Sequence, residues 1–376
     1  MTRPNQRVPR PRGRPINDAG RWIRRGGFVA LGLAVALTLT GVASSNRLGF
    51  DLAAYVFAAR RLLTGEPLYR LDEAVPGPFG RYFASPIAAI AFIPLAALPP
   101  WVAVTLWMLL LVAVAMAVGV ALVRPLPPYL RPGAAALFVA FLPLGSEIMF
   151  GNVSLVSLAL ALAAWRCRDR PPLAGGLLTC ALALKPLPLV VFAFYAAQRR
   201  LRVLAWSAAT AIIAVVITWP ILGPAWIDFA RLAAAVASAE PGVGTNIVPL
   251  ALADSPARYL LPALALACAG GAGLIAHRDR AREGRAHAFA LAAAPLLSAT
   301  IWYPYLIFAL PLLLVPPQIT ARATPGILEY TGRLLPWLVM ETQFLREPGR
   351  DFIAPFFGLL LLLTLGARAL LSKDRT

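Results

Sequence analysis

Five stretches of this chain run apolar for close to the roughly 20 residues that a helix needs to cross a bilayer: residues 27–43, 101–123, 203–222, 256–276 and 352–371. Between them lie shorter apolar pieces in pairs. Residues 133–150 and 153–165 meet at Gly151 and Asn152, residues 173–184 and 187–197 at Lys185 and Pro186, and residues 288–300 and 305–315 around Trp302, Tyr303 and Pro304. Each junction puts polar or helix-breaking residues at a depth where lipid cannot satisfy the backbone, so protein or a water-filled cavity must shelter it. A further piece, residues 85–98, is short for a span and reads as re-entrant or steeply tilted. The pattern predicts an all-α, polytopic integral membrane protein of about 12 transmembrane helices, several of them short or broken. No internal repeat stands out, which weighs against transporter folds built from inverted halves.

Composition agrees, and charge supplies an orientation. The 376 residues are 59% hydrophobic and 14% charged, too apolar for one soluble core. The net charge is +18, and the first 25 residues alone hold eight arginines against a single acid, Asp18. Residues 1–26 therefore read as a disordered basic arm in the cytoplasm, ahead of a single transmembrane domain over residues 27–376. The positive-inside rule and anionic headgroups account for the arm, so membrane lipids are expected partners and nucleic acid is not. Residues 27–43 have the length of a signal peptide, but they lead straight into a segment that the rest of the chain needs, and they read as an uncleaved anchor. The basic connectors at residues 166–170, 198–202 and 278–285 also belong in the cytoplasm. All three junctions then face outward, together with two external loops at about residues 44–85 and 223–254. In the second loop Trp226, Phe229, Ala233 and Val236 recur at helical spacing and predict an interfacial amphipathic helix. Cys167, Cys180 and Cys268 are odd in number and lie in or beside apolar stretches, so no disulfide framework is implied. His277 and His287 sit by a cytoplasmic connector, which removes both as outer-face bases or metal ligands.

Five separated pieces of sequence thus converge on one face, and their polar residues are the candidates for chemistry. Asp51 opens a polar, aromatic-dotted segment that runs to Tyr82. Residues 51–55 predict a short helix along the outer interface with Leu52, Tyr55, Val56 and Leu63 toward lipid. One reading makes Asp51 the N-cap of that helix, worth ~1 kcal/mol. The other makes it a catalytic base, a partly desolvated carboxylate able to take a proton from a sugar hydroxyl, and the two roles are compatible. Lys185 interrupts an apolar run, and only two of the 35 Lys and Arg residues are lysines. It is either a snorkelling helix-end lysine or a cation facing a cavity and meeting a phosphate. Arg60, Arg61, Arg70 and Arg81 offer further external cations, Arg81 with Tyr82 and Phe83 beside it. Asp72 and Glu73 are a solvated acidic pair or a divalent-cation site. Trp302 and Tyr303 are interface aromatics or a platform for a sugar ring. A glycine-rich phosphate loop, Cys/His metal spacing and a nucleophile elbow are all missing from the sequence, and neither metal nor cofactor is expected.

Taken in order, the pieces resemble the GT-C glycosyltransferases, and specifically glycosyltransferase family 87 (GT87, the DUF2029 group) of polyprenyl-phosphate-sugar-dependent mannosyltransferases and related arabinosyltransferases. The resemblance covers Phe50 to about Pro311. Asp51 and Tyr55, with Gly65, Pro67 and Tyr69, are similar to the family's Asp-x-x-x-Tyr and Gly-x-Pro-x-Tyr run. Tyr82 to Pro86 is similar to its Tyr-x-x-Pro helix, Gly151 to Ser154 stands at the place of its Gly-Gln-x-Asn, and Lys185-Pro186-Leu187-Pro188 is similar to its Lys-Pro-x-Pro. No single piece is specific; their order and spacing together are.

What the resemblance implies is a GT-C-like domain with an outer-face cavity, a polyprenyl-phosphate sugar donor and an envelope glycolipid or glycan acceptor. Asp51 falls in the role of catalytic base for direct displacement with inversion. Lys185, Arg81 and Arg61 would hold the donor phosphate, and Tyr55, Tyr82, Asn152, Ser154, Trp302 and Tyr303 would line the substrate cavity. With no nucleotide diphosphate to leave, a metal is less needed. Two departures stand out: the family's Gln and Asn become Asn152 and Ser154, and its Ser-Pro-x-x-Trp motif with nearby His reads Ser298 to Tyr305 with no histidine, so a phosphate contact through that histidine cannot carry over. The expected activity is transfer of a sugar, mannose first and a pentose second, on the outer face of the cell membrane. The alternatives are a transporter or flippase of lipid-linked saccharides, or a scaffold.

Overall fold

In the computed structural model of the chain, the residues described are 18–43, 48–69, 82–238, 247, 255–298, 301–314, 325–341 and 354–372. The elements are helices: α1 (Asp18–Ala43), α2 (Phe50–Thr64), α3 (Pro86–Ala91), α4 (Ile93–Ala96), α5 (Pro100–Val123), α6 (Arg131–Val139), α7 (Leu142–Phe150), α8 (Ser154–Arg166), α9 (Pro171–Leu184), α10 (Val190–Ala197), α11 (Leu201–Ser238), α12 (Leu260–Arg278), α13 (Glu283–Ala292), α14 (Leu310–Leu314), α15 (Pro325–Met340) and α16 (Ala354–Leu371). Short 3₁₀ turns, among them Leu187–Leu189 and Tyr303–Ala309, join the broken ones.

Among the described residues, five helices are long and apolar enough to cross a membrane, and a sixth span results if α6 and α7, bent by 50° at their break, count as one. Adding the four shorter apolar helices, Ser154–Arg166, Pro171–Leu184, Leu187–Ala197 and Tyr303–Leu314, which need a neighbour or a tilt to bridge a bilayer, brings the described residues to ten candidates, below the expected total of about 12. All three sequence junctions are real breaks. Gly151 ends α7 in the left-handed region, Lys185 leaves α9 in an extended conformation before Pro186 because a residue preceding proline disfavours the helical region, and Trp302 is extended before the turn at Tyr303.

The contacts sort the breaks and the basic connectors to opposite ends. At one end Arg168 pairs with Glu283 at 2.8 Å, and Arg200 pairs with Glu283 at 3.2 Å and Asp169 at 2.9 Å, tying together all three connectors. Arg166 donates to the Ala121 carbonyl, which brings the end of α5 there, and Gly27 lies against Pro132 and Gly133, which brings the starts of α1 and α6 to the same level. At the other end the Gly49 amide donates to Met149 O, Ser85 donates to Ala183 O through both its amide and its hydroxyl, and the Ile247 amide donates to Ile301 O. The helix α8 runs from one end to the other, roughly 20 Å by its rise per residue.

Four expectations need correction. The helix α1 begins at Asp18 and takes up Arg21, Arg24 and Arg25, so the last residues of the expected arm are helical. The helix α11 continues to Ser238 through Pro220 and Pro224, so Trp226 and Phe229 sit on the prolongation of a span, not on a separate interfacial helix. Trp226 donates its indole N–H back to Thr218 Oγ1 at 3.2 Å, a tie within one continuous helix. Finally, Leu52, Tyr55 and Val56 face the core while Leu63 is exposed: α3 and α4 fold over α2, as the Arg60 bond to Ala96 O and the Tyr55–Phe92 ring stack record. The helix over residues 85–98 breaks at Phe92. The fourth is the N-cap of α2, which is Gly49 and not Asp51.

Candidate active site

Asp51 does not cap its own helix. Gly49 is the N-cap of α2, in the left-handed conformation at φ 74°, and no side chain closes that end. Asp51 stands in the first turn and aims its carboxylate outward from the helix, where Oδ2 accepts a hydrogen bond from Asn152 Nδ2 at 2.6 Å. The amide orientation of Asn152 is fixed from its other side, because Oδ1 accepts both the Ser154 amide at 3.1 Å and the Ser154 hydroxyl at 2.9 Å. The short Asn-x-Ser arrangement therefore orients the partner of Asp51.

The turn that presents Asn152 is held by three contacts. The Asn152 amide donates to Glu147 O at 3.0 Å, Trp107 Nε1 donates to Gly151 O at 2.8 Å, and Glu147 Oε2 accepts the Leu155 amide at 3.2 Å in the first turn of α8. Gly151 adopts φ 72°, and a Cβ there would lie 3.0 Å from Leu52 Cβ, beside Asp51. Gly151→Ala is expected to destabilise the protein by about 1–3 kcal/mol through left-handed strain and overpacking, with a lower thermal midpoint in detergent and an Asp51–Asn152 pair pushed out of register. An unchanged midpoint would contradict this account of the turn.

Lys185 arrives from α9. Its Nζ lies 3.4 Å from the Tyr305 hydroxyl and 5.0 Å from that ring's centroid, and it is electrostatically coupled to Asp51, Tyr55 and Glu147. A cation and two carboxyls thus share a largely desolvated corner of an apolar molecule, where each needs the others to offset its burial. Burial pushes the Asp51 carboxyl above its ordinary range, and Lys185 and the Asn152 bond draw it part of the way back.

Aromatic rings wall this corner. Tyr55 stacks on Phe92 at 4.8 Å and meets Tyr82 edge-on at 5.5 Å. The hydroxyls of Tyr82 and Tyr69 donate to Ser85 O and Ala84 O, each at 2.6 Å, which braces the Tyr-x-x-Pro segment that Ser85 ties to the end of α9. These phenols are committed to the backbone, leaving their faces as the wall.

Of the other expected residues, Arg61 lies in the last turn of α2, about 15 Å along that helix from Asp51. Arg81, Asp72 and Glu73 lie outside the described residues. Trp302 is half-buried, and Tyr303 is buried with its hydroxyl donating to Met340 O at 3.1 Å; Tyr305, two residues on, is the one that meets Lys185. Glu147 and Tyr305 are the two members of the cluster that the sequence did not single out. Glu147 carried a readable signal, because an acid inside the apolar stretch 133–150 raises the same burial question as Lys185.

A sequence model of glycosyltransferase family 87 matches residues 82–311. The chain is also similar to a protein of Mycolicibacterium smegmatis named "Polyprenol-phosphate-mannose-dependent alpha-(1-2)-phosphatidylinositol mannoside mannosyltransferase", 30% identical over 244 residues, covering 57% of this chain and 55% of that protein. The chain therefore spans about half the length of this curated relative. No solved structure matches.

Proposed function

This chain belongs to glycosyltransferase family 87, and from that premise we propose that it moves a sugar, mannose first among the candidates, from a polyprenyl-phosphate carrier to an envelope glycolipid or glycan. In this reading the arginine-rich end and the N-terminus face the cytoplasm, the Asp51 end faces outward, and the shorter apolar helices are among about 12 spans around an outer-face cavity. Asp51 accepts the proton of the acceptor hydroxyl as that oxygen attacks the anomeric carbon. The bond from that carbon to the phosphate oxygen breaks, the carrier leaves as polyprenyl phosphate, and Lys185 stabilises the departing charge. Attack opposite the leaving group inverts the anomeric configuration. Asn152 holds Asp51 in place through the bond that Ser154 orients, and Tyr55, Tyr82 and Trp302 bound the space for the sugar.

The observation that carries this reading is the Asp51–Asn152 pair beside Lys185: a base, its orienting partner and a cation at the end of the molecule away from the arginines. The name of the mycolicibacterial relative supports a lipid-linked mannose donor. The test is to incubate the reconstituted full chain with a panel of polyprenyl-phosphate sugars and of nucleotide sugars, and to read the membrane glycolipids by mass. One polyprenyl-phosphate sugar is expected to be consumed and the nucleotide sugars left intact. Transfer from a nucleotide sugar alone would overturn the donor assignment.

A further inference from the structure

Glu147 has no part in the reaction just described, yet it is fully buried beside it. Its Oε2 accepts the Leu155 amide, while Oε1, equally buried, has no hydrogen-bond partner among the described residues. Its own carbonyl receives the amide of Asn152, so the residue that builds the turn under Asp51's partner also carries a carboxyl coupled to both Asp51 and Lys185. Such an acceptor without a donor is costly as a carboxylate and satisfied only by a proton or a donor group.

Charge counting shows what must happen when a donor enters. One ammonium balances one carboxylate. With Asp51 ionised, as a base must be, Lys185 is already matched, and an ionised Glu147 would oppose an incoming phosphodiester, itself an anion. We infer that Glu147 is a positioning residue that is free to ionise in the empty site and holds a proton on Oε1 when the phosphate of a lipid-linked sugar is bound, so that donor binding and protonation of Glu147 are coupled. The inference rests on the donor reading above. The proton comes from water, forms the O–H bond on Oε1, and returns to water when polyprenyl phosphate leaves.

Few titratable groups face the Glu147 end of α7 from the described elements packed on it. The helix α2 brings Asp51 and Tyr55, Lys185 follows α9, and the Tyr303–Ala309 turn brings Tyr303 and Tyr305. The helix α5 has no titratable side chain, and α1, α6 and α8 carry theirs at the arginine end, as Asp18, Arg21, Arg24, Arg25, Arg131 and Arg166. Glu341 meets the opposite end of α7, accepting the Leu142 amide. Among the described residues, Asp51 and Lys185 are the charged neighbours at the Glu147 end.

The test measures binding of polyprenyl-phosphate mannose, a diester that does not itself titrate in the working range, to the full chain in lipid nanodiscs from about pH 5 to about pH 9. For the unaltered protein the affinity is expected to fall with rising pH, by up to about tenfold per pH unit across the range in which Glu147 ionises. Glu147→Gln keeps an acceptor for the Leu155 amide and cannot ionise, so its affinity should be flat over that range and equal to that of the unaltered protein at the acid end. Asp51→Asn, measured alongside, leaves Lys185 to balance an ionised Glu147 and should make the slope shallower. A flat profile for the unaltered protein, or the same slope in Glu147→Gln, overturns the inference and leaves the donor reading standing. No binding at any pH by the unaltered protein overturns the donor reading and the inference with it.

Discussion

Asp51→Asn is expected to slow sugar transfer by about 10²–10⁴-fold, the usual contribution of a positioned general base, with the donor's affinity little changed. Asparagine reproduces the shape of aspartate and can still accept the Asn152 Nδ2 bond, so the loss falls on kcat and not on binding. The pH profile of the unaltered enzyme carries the same signature. The base must be ionised to take a proton, and burial holds its carboxyl above the ordinary range, so activity should fall as pH drops through that raised value, at higher pH than an exposed aspartate would give. Stability should move the other way. A carboxyl that is harder to ionise when folded weakens the fold as pH rises through its folded value, and Asp51→Asn should therefore raise the thermal midpoint above that pH. A variant that is more stable and inactive marks a residue kept for chemistry. If the variant instead moved lipid-linked sugar across vesicles as well as the unaltered protein did, the transporter reading would replace the enzyme.

Lys185→Met should lower kcat/KM by about 10²–10³-fold, the scale seen when one preorganised donor to a developing anion is removed. Methionine keeps much of the apolar stem and removes the cation that faces Tyr305 and is coupled to Asp51 and Glu147. Here the effect should divide between donor KM and kcat, because the ammonium attracts the bound phosphate and, more strongly, the charge that gathers on it as the sugar leaves. Losing the cation also leaves the Asp51 and Glu147 carboxyls without the charge that offsets them, so the variant should bind a proton more readily than the unaltered protein. Normal transfer by this variant would remove Lys185 from the site.

The sequence carried the outline of this site for physical reasons that can be named. Gly151 and Asn152, Lys185 and Pro186, and the Trp302–Pro304 break were legible because lipid cannot satisfy a broken helix, and two of the three junctions lie together around Asp51. The gathering of the three basic connectors at one end was legible from their charge, and there they share ion pairs through Glu283. Other features depend on packing that no local pattern encodes. The apolar face of α2 looked lipid-facing because nothing in residues 50–64 announces that α3 and α4 fold over it. Pro220 and Pro224 looked like the end of a helix, yet membrane helices pass through proline where neighbours or side chains make good the lost bond. Tyr303 and Tyr305 were indistinguishable in sequence, and the 3₁₀ turn after Trp302 sends one hydroxyl to Met340 and the other toward Lys185. Glu147 was within reach of the argument already applied to Lys185.

The most direct test of base-assisted displacement at Asp51 follows the transferred carbon. Polyprenyl-phosphate mannose, isotopically labelled at its anomeric position, is incubated with the reconstituted protein and its acceptor lipid, and the product is read by NMR. The account predicts that the label leaves the phosphate and appears in a new glycosidic bond of inverted configuration, and that with Asp51→Asn it stays on the phosphate. A product of retained configuration, or one formed equally well without the Asp51 carboxylate, would contradict it.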